Sequence, residues 1–558
     1  MTSLAEIEAR LQAPGGPFES AVEPVLGEPT RVFVQRPASL RALLEASRAF
    51  GDAEYLVSED RRIGFAEHAG LVASVAAALR ERFGVGPGDR VAILAANGPE
   101  WIVTWWATVS LGAVAVGLNG WWAGPEIAYG VADCEPRVLI GDRRRLERIR
   151  PGDVSVPVVE IESEFESLEA YAPGAALPDG PIGEDDPATI LYTSGTTGRP
   201  KGAVNTHRNV ATLLRLGAFH GARLLMWNAA RGALPKAPPP PRPCMLVTSP
   251  LFHVSGLYTG AVTALANGIK SVWTRGRFDA GRVLELIEQE QVTNWGPMGT
   301  MAHRVIHHPD ARRRDLASLR GVGSGGAPLA PELQHALREV FPNASASLGV
   351  GYGLTESTAL LTLIAGDELE RHPRSVGRPL PTVELEIRDP DGKALPEGGE
   401  GEICARGPMV MLGYWRRPEA TAQAIGPGRW LRTGDFGRLR DGRLYVDSRL
   451  RDLILRGGEN VYPAEIELCL EAHADVREAA VIGVDHPELG QEVKAVVVAE
   501  AGRRPDPRDL AAHVAERLAY FKVPAHFELR DAPLPRNATG KVLKHLLNAD
   551  RESPFVEE

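Results

Sequence analysis

PATILYTSGTTGRPKG, residues 187–202, opens as an apolar, β-branched run and then turns abruptly to Ser, Thr and Gly. The first half has the composition of a strand. A helical pattern begins near Arg208, so the reading is strand, Gly-rich loop, then helix. Such a loop can wrap a polyphosphate, because its backbone N–H groups approach closely and its hydroxyls donate hydrogen bonds. Thr193, Ser194, Gly195, Thr196, Thr197, Gly198 and Lys201 are the candidate phosphate contacts. The segment is not a Walker A loop, since G-x-x-x-x-G-K-[ST] finds no register in it. Taken as a Gly-rich string alone, it reads equally well as a polar surface turn.

Working outward, the same alternation recurs. Helical patterns at 38–50 and 68–83 are interleaved with strand-like runs at 90–97, 137–142 and 270–275. Alternating strands and helices predict an α/β protein with largely parallel sheets. Residues 101–125 carry no charge and are long enough to cross a bilayer. Thr104, Thr108, Ser110, Gly112, Gly117, Asn119 and Gly120 interrupt the run, so it divides better into a buried helix and a strand joined at Gly112. The proline-rich segment 235–243 lacks the donors of a helix or central strand and reads as a surface loop. From about residue 447 a second, smaller α+β unit begins, and the acidic tail RESPFVEE reads as frayed. The expected organisation is therefore an α/β N-terminal domain over 1–447 and a C-terminal domain over 448–558.

Composition narrows the function. The chain has 558 residues, 44% hydrophobic and 24% charged, as ordinary globular proteins do. Its 62 Lys and Arg against 72 Asp and Glu give a net charge of −10, which disfavours a nucleic-acid partner or a broad anionic-membrane role. Cys134, Cys244, Cys404 and Cys469 form no C-x-x-C pair, and the N-terminus has acidic residues where a secretory signal needs basic ones. A cytoplasmic protein without a transmembrane segment is expected, with room left for a homodimer.

The whole string 192–202 resembles the phosphate loop of the adenylate-forming superfamily, which includes acyl-CoA synthetases, peptide-synthetase adenylation domains and luciferases. Further landmarks follow in order: Gly325-Gly326-Ala327-Pro328, Tyr352-Gly353-Leu354-Thr355-Glu356, Thr433-Gly434-Asp435, and Pro535 through Gly540-Lys541. The resemblance implies a large N-terminal domain of mixed α/β sheets and a small mobile C-terminal domain. It implies that Gly325 to Pro328 lie along adenine, with Tyr352 packed on the ring beside Gly353. Thr355 would sit near phosphate, and Glu356 would hold Mg²⁺ with help from the Thr193 hydroxyl. Asp435 would accept from both ribose hydroxyls, and Arg449 would reach ribose or phosphate. Lys541 would stabilise charge around the α-phosphate.

The thiol acceptor and the acid are read from weaker signals. Arg456-Gly457-Gly458-Glu459-Asn460-Val461-Tyr462-Pro463 resembles the segment of free-standing acyl-CoA synthetases, where glycines let pantetheine approach the backbone. The hinge Asp447-Ser448-Arg449-Leu450-Arg451-Asp452 departs from the usual pattern at Ser448 and at the pivot Arg451, which keeps the positive charge. His253, in Pro250-Leu251-Phe252-His253, and Trp295, Met298, Gly299, Thr300 and Gly323 are acyl-pocket candidates by position. The small Gly299 and Gly323 imply room for a medium or longer apolar chain, or a fused ring. The expected activity is an ATP- and Mg²⁺-dependent carboxylic acid–CoA ligase acting through acyl-AMP, on a fatty or fatty-like acid. Two rivals stand beside it: an adenylating enzyme that loads a separate carrier protein, and a nucleotide-binding protein without turnover.

Overall fold

The uncharged stretch that could have crossed a membrane instead forms the centre of the core. In this computed structural model it divides into a helix, Pro99–Ser110, and a strand, Val114–Gly117, with Gly112 at φ +69° making the turn between them. Trp101, Trp105 and Trp106 are almost wholly buried, and the Trp105 indole donates to Thr189 Oγ1 at 3.1 Å. The hydroxyls of Thr104 and Thr108 donate to carbonyls one turn back, so these polar groups enter the core already paired. Among the described residues no helix is long and apolar enough to cross a membrane. The structure describes residues 3–547 apart from 60, 194–199, 235–239, 241, 277, 298, 326–328, 450–451, 457–458, 487–488, 519 and 538–539.

Two large sheets flank this centre. In one, the order is Gly413–Tyr414, Lys201–Thr206, Pro187–Thr193, Val114–Gly117, Arg90–Leu94, Val138–Gly141, Val158–Glu160. In the other, Gly349–Tyr352, Gly321–Gly325, Asn294–Trp295, Cys244–Val247, Lys270–Trp273 and Glu54–Ser58 run in that order. The interiors are parallel, as the alternation of elements predicts. Antiparallel pairs appear toward the Gly413–Tyr414 edge of the first sheet and the Glu54–Ser58 edge of the second, whereas the edge strand Val158–Glu160 is parallel to its neighbour. One such pair corrects the sequence reading. The phosphate loop joins the antiparallel pair Pro187–Thr193 and Lys201–Thr206, with Thr193 opposite Lys201, and the helix follows only after the second strand. Thr206 caps that helix, His207–Ala230, by accepting from the Asn209 N–H at 3.2 Å.

A third sheet, Glu384–Arg388, Glu400–Arg406, Leu431–Arg440 and Arg443–Arg449, is antiparallel throughout. Its last strand runs through the expected boundary at 447 to Arg449. From Ile454 a separate sheet begins: Glu459–Val461, Ile454–Arg456, Gly490–Ala499 and Val476–His486, with His526–Arg530 parallel to Gly490–Ala499. Ile466 and Leu470 of the helix Pro463–Glu471 and Leu510 and Val514 of Pro507–Ala515 cover it, giving a core of its own. The molecule is thus a large α/β N-terminal domain and a small α+β C-terminal domain. All four cysteines are free thiols, three of them buried.

Candidate active site

The strands Pro187–Thr193, Gly321–Gly325 and Gly349–Tyr352 deliver three of the sequence landmarks at their carboxyl ends, where ligands of open α/β sheets bind. Gly325 lies opposite Gly351, so the adenine segment and the Tyr352 segment start side by side. Glycine is required at 353: a Cβ there would come within 2.3 Å of the Ala359 carbonyl oxygen. The same tight loop puts Thr358 and Ala359 at positive φ and returns the chain to the sheet.

Glu356 is held from two directions by one segment. Its backbone carbonyl accepts from the Met411 N–H at 2.9 Å, and its Oε1 accepts from the Tyr414 hydroxyl at 2.8 Å. The Lys201 ammonium lies 5.4 Å from the centroid of the same tyrosine ring. The Thr193 hydroxyl reaches the Lys201 carbonyl at 3.4 Å, so Thr193, Lys201, Tyr414 and Glu356 form a connected series. Burial and the neighbouring Glu356 carboxylate push the Tyr414 phenol pKa well up, keeping it a donor. Thr355 is buried, and its carbonyl accepts from Asn205 Nδ2 at 3.3 Å. Asn205 is itself oriented by the Tyr258 hydroxyl at 3.1 Å. Tyr414, Asn205 and Tyr258 were not among the residues singled out from sequence. Only Gly413-Tyr414-Trp415, an aromatic pair directly after a glycine, could have drawn attention to the first.

Asp435 lies in the strand Leu431–Arg440, so the competing reading of a β-turn aspartate fails. It is 6% exposed, and its Oδ2 accepts from the Tyr352 hydroxyl at 2.8 Å. Gly434 takes φ +69° just before it, while the Thr433 hydroxyl donates to Ile403 O at 2.7 Å and accepts from the Asp435 N–H at 3.1 Å. Arg449 is paired opposite Asp435 in the adjacent strand. The adenine and ribose landmarks therefore adjoin.

Lys541 belongs to a different part of the molecule. It lines a cleft of about 2260 Å³ between the domains, with Phe252, Gly299 and Met301 on the N-terminal side and Glu478 and Arg536 on its own. Asn537 accepts from the Lys541 N–H through Oδ1 and donates its own N–H to the Lys541 carbonyl, both at 2.9 Å. Gly540 at φ +76° closes this turn, and Arg536 braces it through Glu478 and the Gly540 carbonyl, each at 2.7 Å. Glu356 and Asp435 do not line this cleft.

Among the acyl candidates, Gly299 lines the cleft and opens the helix Gly299–Ile306, which also contains Thr300. A Cβ on Gly323 would meet nothing within 4 Å. The His253 Nδ1 accepts from the Ser255 N–H at 3.3 Å and lies 2.8 Å from Ser255 Oγ, and burial holds its pKa down to about 4, so the ring is neutral. Trp295 does not face the cleft. It is 1% exposed, its ring packs on Phe341, and its indole N–H points to Thr248 Oγ1 at 3.4 Å. Ser194, Gly195, Thr196, Thr197, Gly198, Met298, Gly326, Ala327, Pro328, Arg451, Gly457 and Gly458 lie outside the described residues.

The donor set fits Mg²⁺. Among the described residues, no group of three or more His, Cys, Asp or Glu could hold a metal ion. Glu356, however, has one oxygen fixed by Tyr414 and the other without a donor among the described residues. A hard cation bound by one carboxylate and a hydroxyl is completed by phosphate oxygens and water.

Residues 43–415 match the AMP-binding enzyme family, and residues 465–541 match the AMP-binding enzyme C-terminal domain. The chain belongs to the AMP-binding enzyme family. It is 36% identical over 485 residues to a feruloyl-CoA synthase of an Amycolatopsis species, covering 86% of this chain and 92% of that protein. It is 34% identical over 499 residues to a long-chain-fatty-acid–CoA ligase of Mycobacterium tuberculosis, covering 88% and 93%. The o-succinylbenzoate CoA synthetase of Bacillus subtilis, solved with its acyl-adenylate intermediate, superposes with a TM-score of 0.78 at 29% identity, over 93% and 99% of the two chains. The resemblance read from the motifs thus holds for this family and for its CoA-ligase branch.

Proposed function

We propose that this protein joins a fatty or fatty-like carboxylic acid to CoA through an acyl-AMP intermediate. The observation that carries the reading is the pairing of a fixed nucleotide side, Glu356 and Asp435, with a lysine on a second domain that faces a wide cleft. A carboxylate oxygen attacks the α-phosphorus of ATP, the bond to the β-phosphate oxygen breaks, and pyrophosphate leaves with the electron pair. The CoA thiolate then attacks the acyl carbon, and AMP leaves with its phosphate oxygen. Glu356 and the Thr193 hydroxyl would hold Mg²⁺, which would supply charge neutralisation along the triphosphate.

Each residue has a stated task. The phosphate loop from Thr193 to Gly198, with Lys201, holds the β- and γ-phosphates. Asp435 and Arg449 orient the ribose, and Tyr352, with Gly325 to Pro328, positions adenine. Lys541 stabilises charge on the α-phosphate in the first step, and rotation about the hinge near Arg451 removes it for the second. Gly457, Gly458 and Glu459 then border the pantetheine path. The end of the N-terminal domain's last strand at Arg449 and the restart of β-structure at Ile454 support such a pivot. Open space at Gly323 and the lining by Phe252, Gly299 and Met301 support an apolar acyl group. The four free thiols support a reducing, cytoplasmic setting.

The test incubates purified protein with ATP, Mg²⁺ and a panel of aliphatic, aryl and fused-ring acids, with and without CoA, and follows acyl-AMP and acyl-CoA by mass spectrometry. Acyl-CoA formation from an apolar acid is expected. Acyl-AMP that accumulates and ignores CoA would move the reading to carrier-protein loading. ATP binding without either product across the panel would favour the protein without turnover.

A further inference from the structure

The segment Met411–Trp415 ties together two loops that the reaction needs. Leu412 N–H donates to Val204 O and Trp415 N–H to Gly202 O, at 2.8 and 2.7 Å, so the segment is bonded to the strand that leaves the phosphate loop. Gly413–Tyr414 pairs antiparallel with that strand, Ala203 opposite Tyr414. On its other side the segment holds Glu356 by backbone and by carboxylate. Tyr414 is anchored at its own N–H by the Thr421 hydroxyl at 2.9 Å.

The tyrosine stands between two opposite charges. Its hydroxyl takes Glu356 Oε1, its ring face takes the Lys201 ammonium, and among the described residues no ion pair joins Lys201 to Glu356. Were they to pair directly, the cation would occupy the carboxylate that a metal ion needs. A hydrogen bond to one carboxylate oxygen leaves the other directed and available, whereas a lysine competes for both.

We propose that Tyr414 is a positioning residue for the metal-nucleotide complex: it aims the Glu356 carboxylate and keeps Lys201 from neutralising it. The proposal rests on the ligase reading, in which Glu356 serves Mg²⁺·ATP. It predicts that Tyr414 acts on metal affinity before any chemistry, with no effect on the acid subsite.

The test needs no turnover. Mn²⁺ is titrated into the full-length protein with ATP and without acid, and free Mn²⁺ is read by electron paramagnetic resonance for wild type, Tyr414→Phe, Tyr414→His and Tyr414→Leu. Phe keeps the ring and loses the donor, so Mn²⁺ affinity should fall about tenfold, the usual scale of a hydrogen bond to a charged group. Leu loses both and should fall further, while His, with a ring donor, should recover part of the loss. In steady state, Tyr414→Phe should raise the Mg²⁺ requirement with the KM for the acid unchanged. If Tyr414→Phe melts far below wild type, the His and Leu pair decides the matter. Equal Mn²⁺ affinity in wild type, Phe and Leu overturns the proposal while the ligase reading stands. Wild type that binds no Mn²⁺·ATP would overturn the ligase reading itself.

Discussion

The nucleotide side and the Lys541 cleft are built in opposite ways. On the nucleotide side, each functional group is held by a second residue from a distant part of the chain: Asp435 by Tyr352, Glu356 by Tyr414, and the Thr355 carbonyl by Asn205. Donors and acceptors fixed beforehand need no reorganisation when the triphosphate arrives. The cleft is wide, and Lys541 enters it from a turn of the C-terminal domain that Asn537 closes. One side fixes its geometry through contacts within the N-terminal domain, while the other presents Lys541 on a separate domain, as the proposed two-step reaction requires. The difference teaches where each kind of mutation should be felt.

The largest effect should come from the Lys541 side. Lys541→Ala is expected to slow acyl-AMP formation by roughly 10²–10³-fold, the usual cost of one preorganised charge-stabilising donor. Supplied with acyl-AMP and CoA, the same variant should form thioester at close to the wild-type rate. Equal slowing of both half-reactions would break the division between the two regions.

On the fixed side, Asp435→Asn removes a charged acceptor and retains its shape. The KM for ATP should rise about tenfold, with the KM for CoA unchanged. Isothermal titration with ATP alone checks this without turnover.

Stability offers a third comparison, because the N-terminal domain carries histidines that folding keeps neutral. His68 is fully buried against Tyr55 with neither ring nitrogen bonded, and burial holds its pKa down to about 3. The unfolded chain takes up a proton near the ordinary histidine pKa of 6.5, which the folded chain refuses. Stability contributed at neutral pH is therefore lost as pH falls below 6.5 and levels off near 3, and at pH 5 the loss is about 2 kcal/mol. His68→Leu should flatten that acid limb of the thermal-melting profile. An unchanged slope between pH 6.5 and 5 would show that other groups set it.

The smallest effect on rate, though a clear one on selectivity, is expected from Gly323→Trp. The indole would enter the open space beside Gly323 and shift the preferred acid toward shorter chains. An unchanged chain-length profile would remove Gly323 from the acyl pocket.

Much of this was legible before any coordinates. The helix–Gly112–strand division of 101–119 followed from where small and polar residues interrupt an apolar run, and the family resemblance at T-G-D singled out Asp435, which lies against Tyr352. The strand KGAVNT, Lys201–Thr206, was not legible, since Lys, Gly and Asn are poor strand formers and only pairing with Pro187–Thr193 makes it one. The antiparallel sheet over 384–449 was likewise hidden inside an expectation of parallel strands. Tyr414 escaped notice because its meaning lies in a contact 58 residues away, which no local pattern encodes. Trp295 was assigned to a pocket by position, yet its ring packs edge-on against Phe341.

The strand pairing of Asp435 with Arg449 has a practical side for protein engineering. These residues sit in one hairpin, Leu431–Arg440 with Arg443–Arg449, and the next sheet starts only at Ile454. A chimera that borrows its C-terminal domain from a relative and is spliced within this hairpin, upstream of Arg449, would inherit part of it from each parent. A seam placed between Arg449 and Ile454 keeps the hairpin whole and lets the two parents contribute complete sheets.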